Sequence, residues 1–186
     1  KVRTEKELRR EREAEAAKNG GSAFNWNSLF LRGDVVGDSS AKLLGVSKSE
    51  MLDARGDSGG SIAVRLARGE TAILARVKSW FVGRGVPQET LRTLARGDGK
   101  VERSRLTILV KNLDAKATPA ELSRLFRKHG QVAGVSFAPG NAIALVEMVE
   151  VGEARRAFKE LAYAEIRDVP IYLEWAPSGA HAVDGA

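Results

Sequence analysis

The segment from residue 101 to residue 177 constrains the fold most, because its apolar residues change between strand and helix spacing in a fixed order. Alternation at 106–111, 132–137, 142–148 and 171–175 predicts four strands. Helical spacing predicts one helix that begins at 119 and stops at Gly130, and a second over 153–161. The order βαββαβ predicts an α+β fold of the ferredoxin-like type, with a four-stranded antiparallel sheet and two helices.

This pattern resembles the RNA-recognition motif, in which aromatic side chains of the two central strands stack on unpaired bases. The first-strand hexamer "ILVKNL" has Leu109 where that motif usually has Phe or Tyr, and the third-strand octamer "NAIALVEM" lacks the leading basic residue and all three aromatic residues. Base stacking contributes ~1–3 kcal/mol per base. We therefore predict only weak single-strand binding by the open sheet face, through Leu109, Lys111, Asn141, Ile143, Leu145 and Tyr172.

Positive charge is distributed unevenly along the chain. The net charge is +6, yet residues from 101 onward carry 11 Lys and Arg against 11 Asp and Glu. Basic residues that would share helix backs or precede the first strand are candidate phosphate contacts, since such contacts position a protein without reading sequence. They are Arg103, Arg105, Arg124, Arg127, Lys128, Arg155, Arg156 and Lys159. The alternative interpretation is that these residues lie on solvent-exposed helix surfaces and bind no RNA.

The first 100 residues are predicted to hold helices without strands. Residues 1–22 indicate a charged helix or linker, and residues 23–100 a helical module with a long helix from 61 that ends at Gly83 and Gly85. The crowded aromatic residues of "FNWNSLFLRGD" predict an anchor to RNA or protein. Its residues are Phe24, Trp26, Phe30 and Arg32. Residues 178–186 are predicted to be a flexible tail, and a first residue other than Met predicts a fragment of a longer protein.

Several function classes find no support in the sequence. There is no cysteine for disulfides or thiolate metal sites, no apolar run near the ~18 residues that a membrane span needs, and no phosphate-binding GxxxxGK loop. "GDSGGS" at 56–61 matches a serine-protease nucleophile segment, but both histidines, His129 and His181, come later. We predict no catalytic residue, metal, cofactor, membrane partner or small-molecule substrate.

Seven segments in this order resemble the multiple-RNA-binding-domain family of nucleolar ribosome assembly factors. They are "FNWNSLFLRGD", "LLGVSKSEMLD", "VKSWFVGRGV", "TILVKNL", "AIALVEM", "AFKELAY" and "IYLEWAP". The resemblance covers one linker and one interior RNA-recognition motif. It implies a non-catalytic component of the small-subunit processome, in the nucleolus of the nucleus, that binds pre-ribosomal RNA, with small nucleolar RNA as a further candidate, and neighbouring processome proteins.

Two other functions remain open on the sequence. One is a motif that recognises a peptide; the known acidic-helix subtype does not fit, because Arg124, Arg127 and Lys128 make the first helix basic. The other is ordinary single-stranded RNA binding by the sheet face.

Overall fold

The computed structural model describes residues 62–96, 101–114 and 116–182. Within these ranges four helices and six strands follow one another along the chain. They are α1 (Ile62–Gly83), α2 (Gln88–Arg96), β1 (Arg103–Lys111), α3 (Pro119–Phe126), β2 (Val132–Phe137), β3 (Ile143–Met148), α4 (Val151–Glu160), β4 (Glu165–Ile166), β5 (Val169–Pro170) and β6 (Tyr172–Pro177). None of the helices in the described ranges is long and apolar enough to span a lipid bilayer.

Four strands form one antiparallel sheet in the order β2-β3-β1-β6, and β4 with β5 forms a separate short hairpin. The register sets Leu109 opposite Leu145 and Val110 opposite Ala144. Because side chains alternate between faces, Leu109 and Leu145 share one face while Val110 and Ala144 share the other. The fold is therefore the predicted α+β, ferredoxin-like βαββαβ arrangement.

One face of the sheet packs against α3 and α4. Ile108, Val110, Val146 and Met148 are buried there with Leu122, Phe126, Ala154 and Ala157 of the two helices. The start of α3 is fixed as predicted, since Thr118 accepts from the Glu121 N–H and the Glu121 carboxylate accepts from the Thr118 N–H. This face is the expected core of the domain.

The opposite face of the sheet is also covered. Val77 and Phe81 of α1, Val86 of the connecting turn, and Leu91 and Leu94 of α2 are buried against it in a second core. We call α1 and α2 together the helical layer. The sequence divides residues 23–100 from residues 101–177, but the described part of the helical layer shares one core with the sheet.

Residues 178–182 differ from the predicted flexible tail. Ala180 and Ala182 are buried in the second core. The His181 N–H donates to the Arg84 carbonyl at 3.0 Å, and the Ala182 N–H donates to the Glu147 carboxylate at 2.9 Å. The segment is ordered because the helical layer offers it an apolar surface and backbone partners.

Most predicted element bounds agree with the structure to within two or three residues. β2 matches over its full length, whereas β1 starts earlier, at Arg103, and β6 runs from Tyr172 to Pro177 rather than 171–175. α3 ends at Phe126, and a turn leads on to Gly130. The predicted helices between residues 1 and 61 lie outside the described residues.

Candidate nucleic-acid interface

The face predicted to meet bases is occupied by the protein itself. Leu109, Ile143 and Leu145 are each 0% exposed, in the same core as the helical layer. Their prediction as RNA contacts therefore does not fit this arrangement, because a base cannot reach a side chain that α1 and α2 enclose. The physical reason is that three aliphatic side chains on an open sheet face make a patch that water disfavours.

Lys111, predicted to lie on this face, and Arg103, predicted to contact phosphate, are held by one carboxylate. Lys111 Nζ lies 2.9 Å from Glu174 Oε2, and Arg103 Nη2 lies 3.0 Å from Glu174 Oε1. Arg103 also donates from Nη1 to the Trp175 carbonyl at 3.1 Å. A phosphate would have to compete with these bonds, so Arg103 and Lys111 are less available than the sequence predicts.

Tyr172 is the one predicted aromatic contact that remains open, with 44% of its surface exposed. Its ring meets that of Tyr163 edge to face, with centroids 5.9 Å apart. Asn141 is half-buried in the β2–β3 turn with a φ of 61°. A single ring at the sheet margin provides one stacking platform, where an ordinary motif has two or three.

The helical layer is joined to the C-terminal segment by close backbone contact. Gly85 and Gly179 both have positive φ, at 91° and 87°. A Cβ on Gly85 would lie 2.5 Å from the Gly179 carbonyl oxygen, so no side chain fits there. Beside this contact, Arg84 donates from Nη1 to the Ala182 carbonyl at 3.0 Å. We call the contact between residues 84–85 and 179–182 the clasp.

All but one of the other predicted cations lie on α3, on the turn that follows it, or on α4. Six are exposed: Arg124, Arg127, Lys128, Arg155, Arg156 and Lys159. No ion pair joins any of the six to a carboxylate in the part of the chain that the structure describes. Arg105, on β1, is also exposed. The structure thus gathers six of the eight predicted phosphate contacts on the two-helix side.

Two carboxylates of these helices are engaged elsewhere. Glu121 accepts from the Thr118 hydroxyl at 2.8 Å and pairs with Arg167 at 2.9 Å. The hydrogen bonds from Thr118, and then that from Arg167, lower the pKa of Glu121 below its ordinary value. Glu153 accepts from the Gln131 N–H at 2.7 Å. Neither carboxylate is left to neutralise the exposed arginines. The third carboxylate of the two helices, Glu160, is exposed at the end of α4, so the six cations still leave an excess of positive charge on this side.

The domain combines the βαββαβ order, the β2-β3-β1-β6 sheet and two helices packed on one face. Residues 108–172, from within β1 to the first residue of β6, match the RNA recognition motif. This part of the chain therefore has the fold of an RNA recognition motif. In this RNA recognition motif the central strands keep the architecture, while their base-facing surface is the floor of a second hydrophobic core.

The chain as a whole is similar to longer proteins that carry RNA-binding domains. It is 38% identical to the probable RNA-binding protein 19 of Homo sapiens, over 92% of this chain and 17% of that protein. It is 40% identical to the multiple RNA-binding domain-containing protein 1 of Neurospora crassa, over 90% of this chain and 19% of that protein. The chain thus spans less than a fifth of the length of these relatives, and the similarity extends beyond the RNA recognition motif into the helical layer.

The solved solution structure of the second RNA binding domain of a hypothetical protein matches part of this chain at 45% sequence identity. The match covers 41% of this chain and 69% of that chain, with a TM-score of 0.40.

Two features of the site bear on what the sequence can reveal. The predicted anchor residues Phe24, Trp26, Phe30 and Arg32 lie outside the described residues. The sequence prediction does not include the packing of the helical layer on the sheet, although two features of the sequence indicate it. α1 has an apolar stripe that another element must bury, and the open sheet face is aliphatic and lacks stacking rings. Packing of these two apolar surfaces against each other gives the position of the helical layer.

Proposed function

We propose that this chain is a non-catalytic RNA-binding segment of a nucleolar factor in small ribosomal subunit assembly, and that it contacts folded pre-ribosomal RNA through the outer surface of α3 and α4. The observation that carries the proposal is the covered sheet. The usual RNA surface is closed, while six cations on the other side are exposed and make no ion pair among the described residues. The names of the relatives, which refer to RNA binding, support the RNA partner.

The free energies involved favour RNA binding on the α3–α4 side over RNA binding to an uncovered sheet face. Exposing Leu109, Ile143 and Leu145 to water costs about 1.5–3 kcal/mol each, so about 5–9 kcal/mol for the three before any residue of the helical layer is included. A base stacked on Tyr172 returns ~1–3 kcal/mol. Opening the sheet to gain one base is therefore unfavourable, and contacts that leave the helical layer in place are preferred.

The chemistry available on α3 and α4 suits phosphate rather than bases. Arg155, Arg156 and Lys159 are exposed along α4, without an exposed aromatic ring beside them on that helix. Guanidinium and ammonium groups bind phosphate oxygens by charge and hydrogen bonds, and this gives affinity with little sequence discrimination. Such a surface fits a structured RNA whose folded shape presents phosphates at a matching spacing.

A titration of the full chain with a short RNA hairpin and with an unstructured oligouridine tests the proposal. We expect the hairpin to bind more tightly, with a logarithmic salt slope of ~0.9 for each phosphate contacted. The triple variant Arg155→Gln, Arg156→Gln, Lys159→Gln should lower the slope by about 2.7 if each residue meets one phosphate. Arg76→Gln, an exposed arginine of α1 on the opposite side of the sheet, is the matched control and should leave the slope unchanged.

The opposite pattern would refute the helix-side interface. If Tyr172→Ala abolishes binding and the triple variant binds as the parent does, RNA meets the sheet margin instead. The assembly role is tested separately by whether the protein is recovered with small-subunit precursors, and its absence from them would contradict that role. Within such a precursor, crosslinks from the lysine and arginines of α4 to pre-ribosomal RNA are expected. Crosslinks from α4 to protein alone would contradict the RNA contact without affecting the assembly role.

A further inference from the structure

The two edges of the sheet are protected very differently. β6, at one edge, ends in Pro177, contains Glu174 paired with Arg103, and has its Trp175 carbonyl bound by the Arg103 side chain. Prolines, charges and bound backbone groups are the usual means by which proteins prevent an edge strand from pairing with another chain. β2, at the other edge, has the sequence VAGVSF, with no charge and no proline. Its one irregularity is a register shift between Val132 and Gly134.

The backbone of β2 has groups available on its outer side. The Ala138 N–H donates to the Ile143 carbonyl at 3.0 Å, and Ser136 lies opposite Leu145 in the same register. In an antiparallel strand the backbone N–H and carbonyl groups of successive residues point to opposite sides, so those of Ser136 and Ala138 point toward β3. Val135 and Phe137 therefore direct their N–H and carbonyl groups away from the sheet, where an added strand would lie.

A groove runs beside this edge on the helix side. It has a volume of about 300 Å³ and lies between Pro119, Ala120, Ser123 and Arg127 of the α3 side and residues 132–135 of β2. Most of the side chains along it are small, so alternate side chains of an added strand have room to enter. Its size is at the lower end of the ~300–1,000 Å³ that is usual for ligand sites.

The charge around the groove selects the partner. Arg127 lines it and is exposed, and Arg124 and Lys128 are exposed next to it on the same helix and its end. The acidic residue of α3, Glu121, is held by Thr118 and Arg167. An added strand that carries carboxylates is favoured here, while one that carries lysines or arginines is repelled.

We propose that the β2 edge and the α3–β2 groove bind an extended acidic peptide of a partner protein, which adds to the sheet as a fifth strand next to β2. Backbone hydrogen bonds to Val135 and Phe137 supply the pairing. On the side of the added strand that faces the groove, small apolar side chains enter it and a carboxylate meets Arg127. Strand addition to an exposed edge is an established mode of peptide recognition. This site shares Arg127 with the α3–α4 surface proposed for RNA, but the β2 edge and its outward backbone groups lie outside that surface.

The test uses the full chain and three capped synthetic peptides of equal length. The first carries Val and Asp in turn at the positions that face the groove, with Ser between them. The second has Lys in place of Asp, and the third is the first with its backbone nitrogens methylated. We expect the acidic peptide to bind and to slow amide hydrogen exchange at Val135 and Phe137. The lysine peptide should bind more weakly by about fivefold or more, because each exposed charge contact changes sign. The methylated peptide should not bind, because it cannot donate backbone hydrogen bonds to the edge.

Two variants locate the site on the protein. Arg127→Gln should weaken the acidic peptide about threefold to fivefold, while Arg76→Gln on α1 should leave its affinity unchanged. Exchange protection elsewhere but not at β2, or equal binding of the methylated peptide, would overturn the proposal. Displacement of the bound peptide by the RNA hairpin, with the same β2 amides protected by the RNA alone, would assign the groove to RNA and would also overturn it.

Discussion

Gly85 and Gly179 show how much the covered sheet depends on single residues. Both have backbone conformations that favour glycine, and each would place a Cβ within 3 Å of the other's carbonyl oxygen. The clasp therefore permits no side chain at either position. Gly83, two residues earlier at the end of α1, has open space around it and an ordinary helical conformation.

Gly85→Ala is expected to destabilise the fold by about 1–3 kcal/mol from the backbone conformation alone, with a further cost from the contact with Gly179. Gly83→Ala is the matched control, and it should be neutral or stabilising by up to about 1 kcal/mol because alanine favours helix. Urea unfolding of both variants measures the difference. Equal stabilities would show that the clasp is absent in solution.

Glu121 contributes a pH-dependent part of the stability. Its pKa is lowered in the folded state by the hydrogen bonds from Thr118 and by Arg167. A carboxyl whose folded pKa is depressed adds stability above its unfolded pKa, and this stability is lost as the pH falls through the lower folded pKa. The folded domain should therefore lose the Glu121 contribution on acidification, not on alkalinisation.

Glu121→Gln should reduce the free energy of unfolding near neutral pH, and the difference from the parent should shrink as the pH falls below 4.5, the ordinary pKa of the group. Denaturant unfolding at several pH values measures this. In a Thr118→Ala background the pH-dependent difference should be smaller, since the largest cause of the shift is removed. A difference that stays constant down to the acid limit would contradict the assignment.

At the scale of elements, α1 acts as a cover for the sheet rather than as a linker. Val77 and Phe81 lie one turn apart and both point into the second core, whereas Val82, next to Phe81, is 47% exposed. Residues three to four positions apart share one side of a helix, so this pattern marks the buried side of α1. The Trp80 ring meets Phe81 edge to face at 5.0 Å and extends the same contact.

Phe81→Ala should lower the free energy of unfolding by about 3–5 kcal/mol, as expected for a large buried ring, while Val82→Ala should change it by less than about 0.5 kcal/mol. Phe81→Leu keeps most of the packing and serves if the alanine variant does not fold. Chemical denaturation of the three variants gives the comparison. Similar small effects at 81 and 82 would mean that α1 is not docked on the sheet.

At the scale of the whole molecule, two cores share the central strands. β1 and β3 contribute Leu109 and Leu145 to the core under the helical layer, and Val110 and Val146 to the core under α3 and α4. If the helices that cover one face of a strand detach, the strand exposes apolar surface over its whole length. The helical layer and the RNA recognition motif should therefore unfold together.

Two tryptophans report on the two layers and test this cooperativity. Trp80 belongs to the helical layer, and Trp175 stacks on Phe158 at 4.8 Å on the other side. In a Trp26→Phe background, variants that keep only Trp80 or only Trp175 should show coincident urea transitions, the mark of two-state unfolding. A Trp80 transition at clearly lower urea would show that the helical layer detaches first and would leave the sheet open to RNA.

The sequence alone determined the local structure and the distribution of side chains over the sheet. Three kinds of local signal act over only a few residues, so a short stretch of sequence shows them. They are the Thr118 cap, the glycines and proline around α1 and α2, and the alternation that puts Leu145 and Val146 on opposite faces. For the same reason the sequence showed that the stacking rings are missing from the central strands.

Only the tertiary structure decided what lies on the aliphatic face. Whether Leu109 meets solvent, RNA or α1 depends on the energy of pairing surfaces that are far apart in the chain, and no local pattern encodes which surfaces meet. The ordering of residues 178–182 and the Arg103–Glu174–Lys111 ion pairs arise in the same way, because their partners are tens of residues distant. Burial of apolar area rewards whichever long-range contact removes the most of it from water, and here that contact turns a surface for bases into a core.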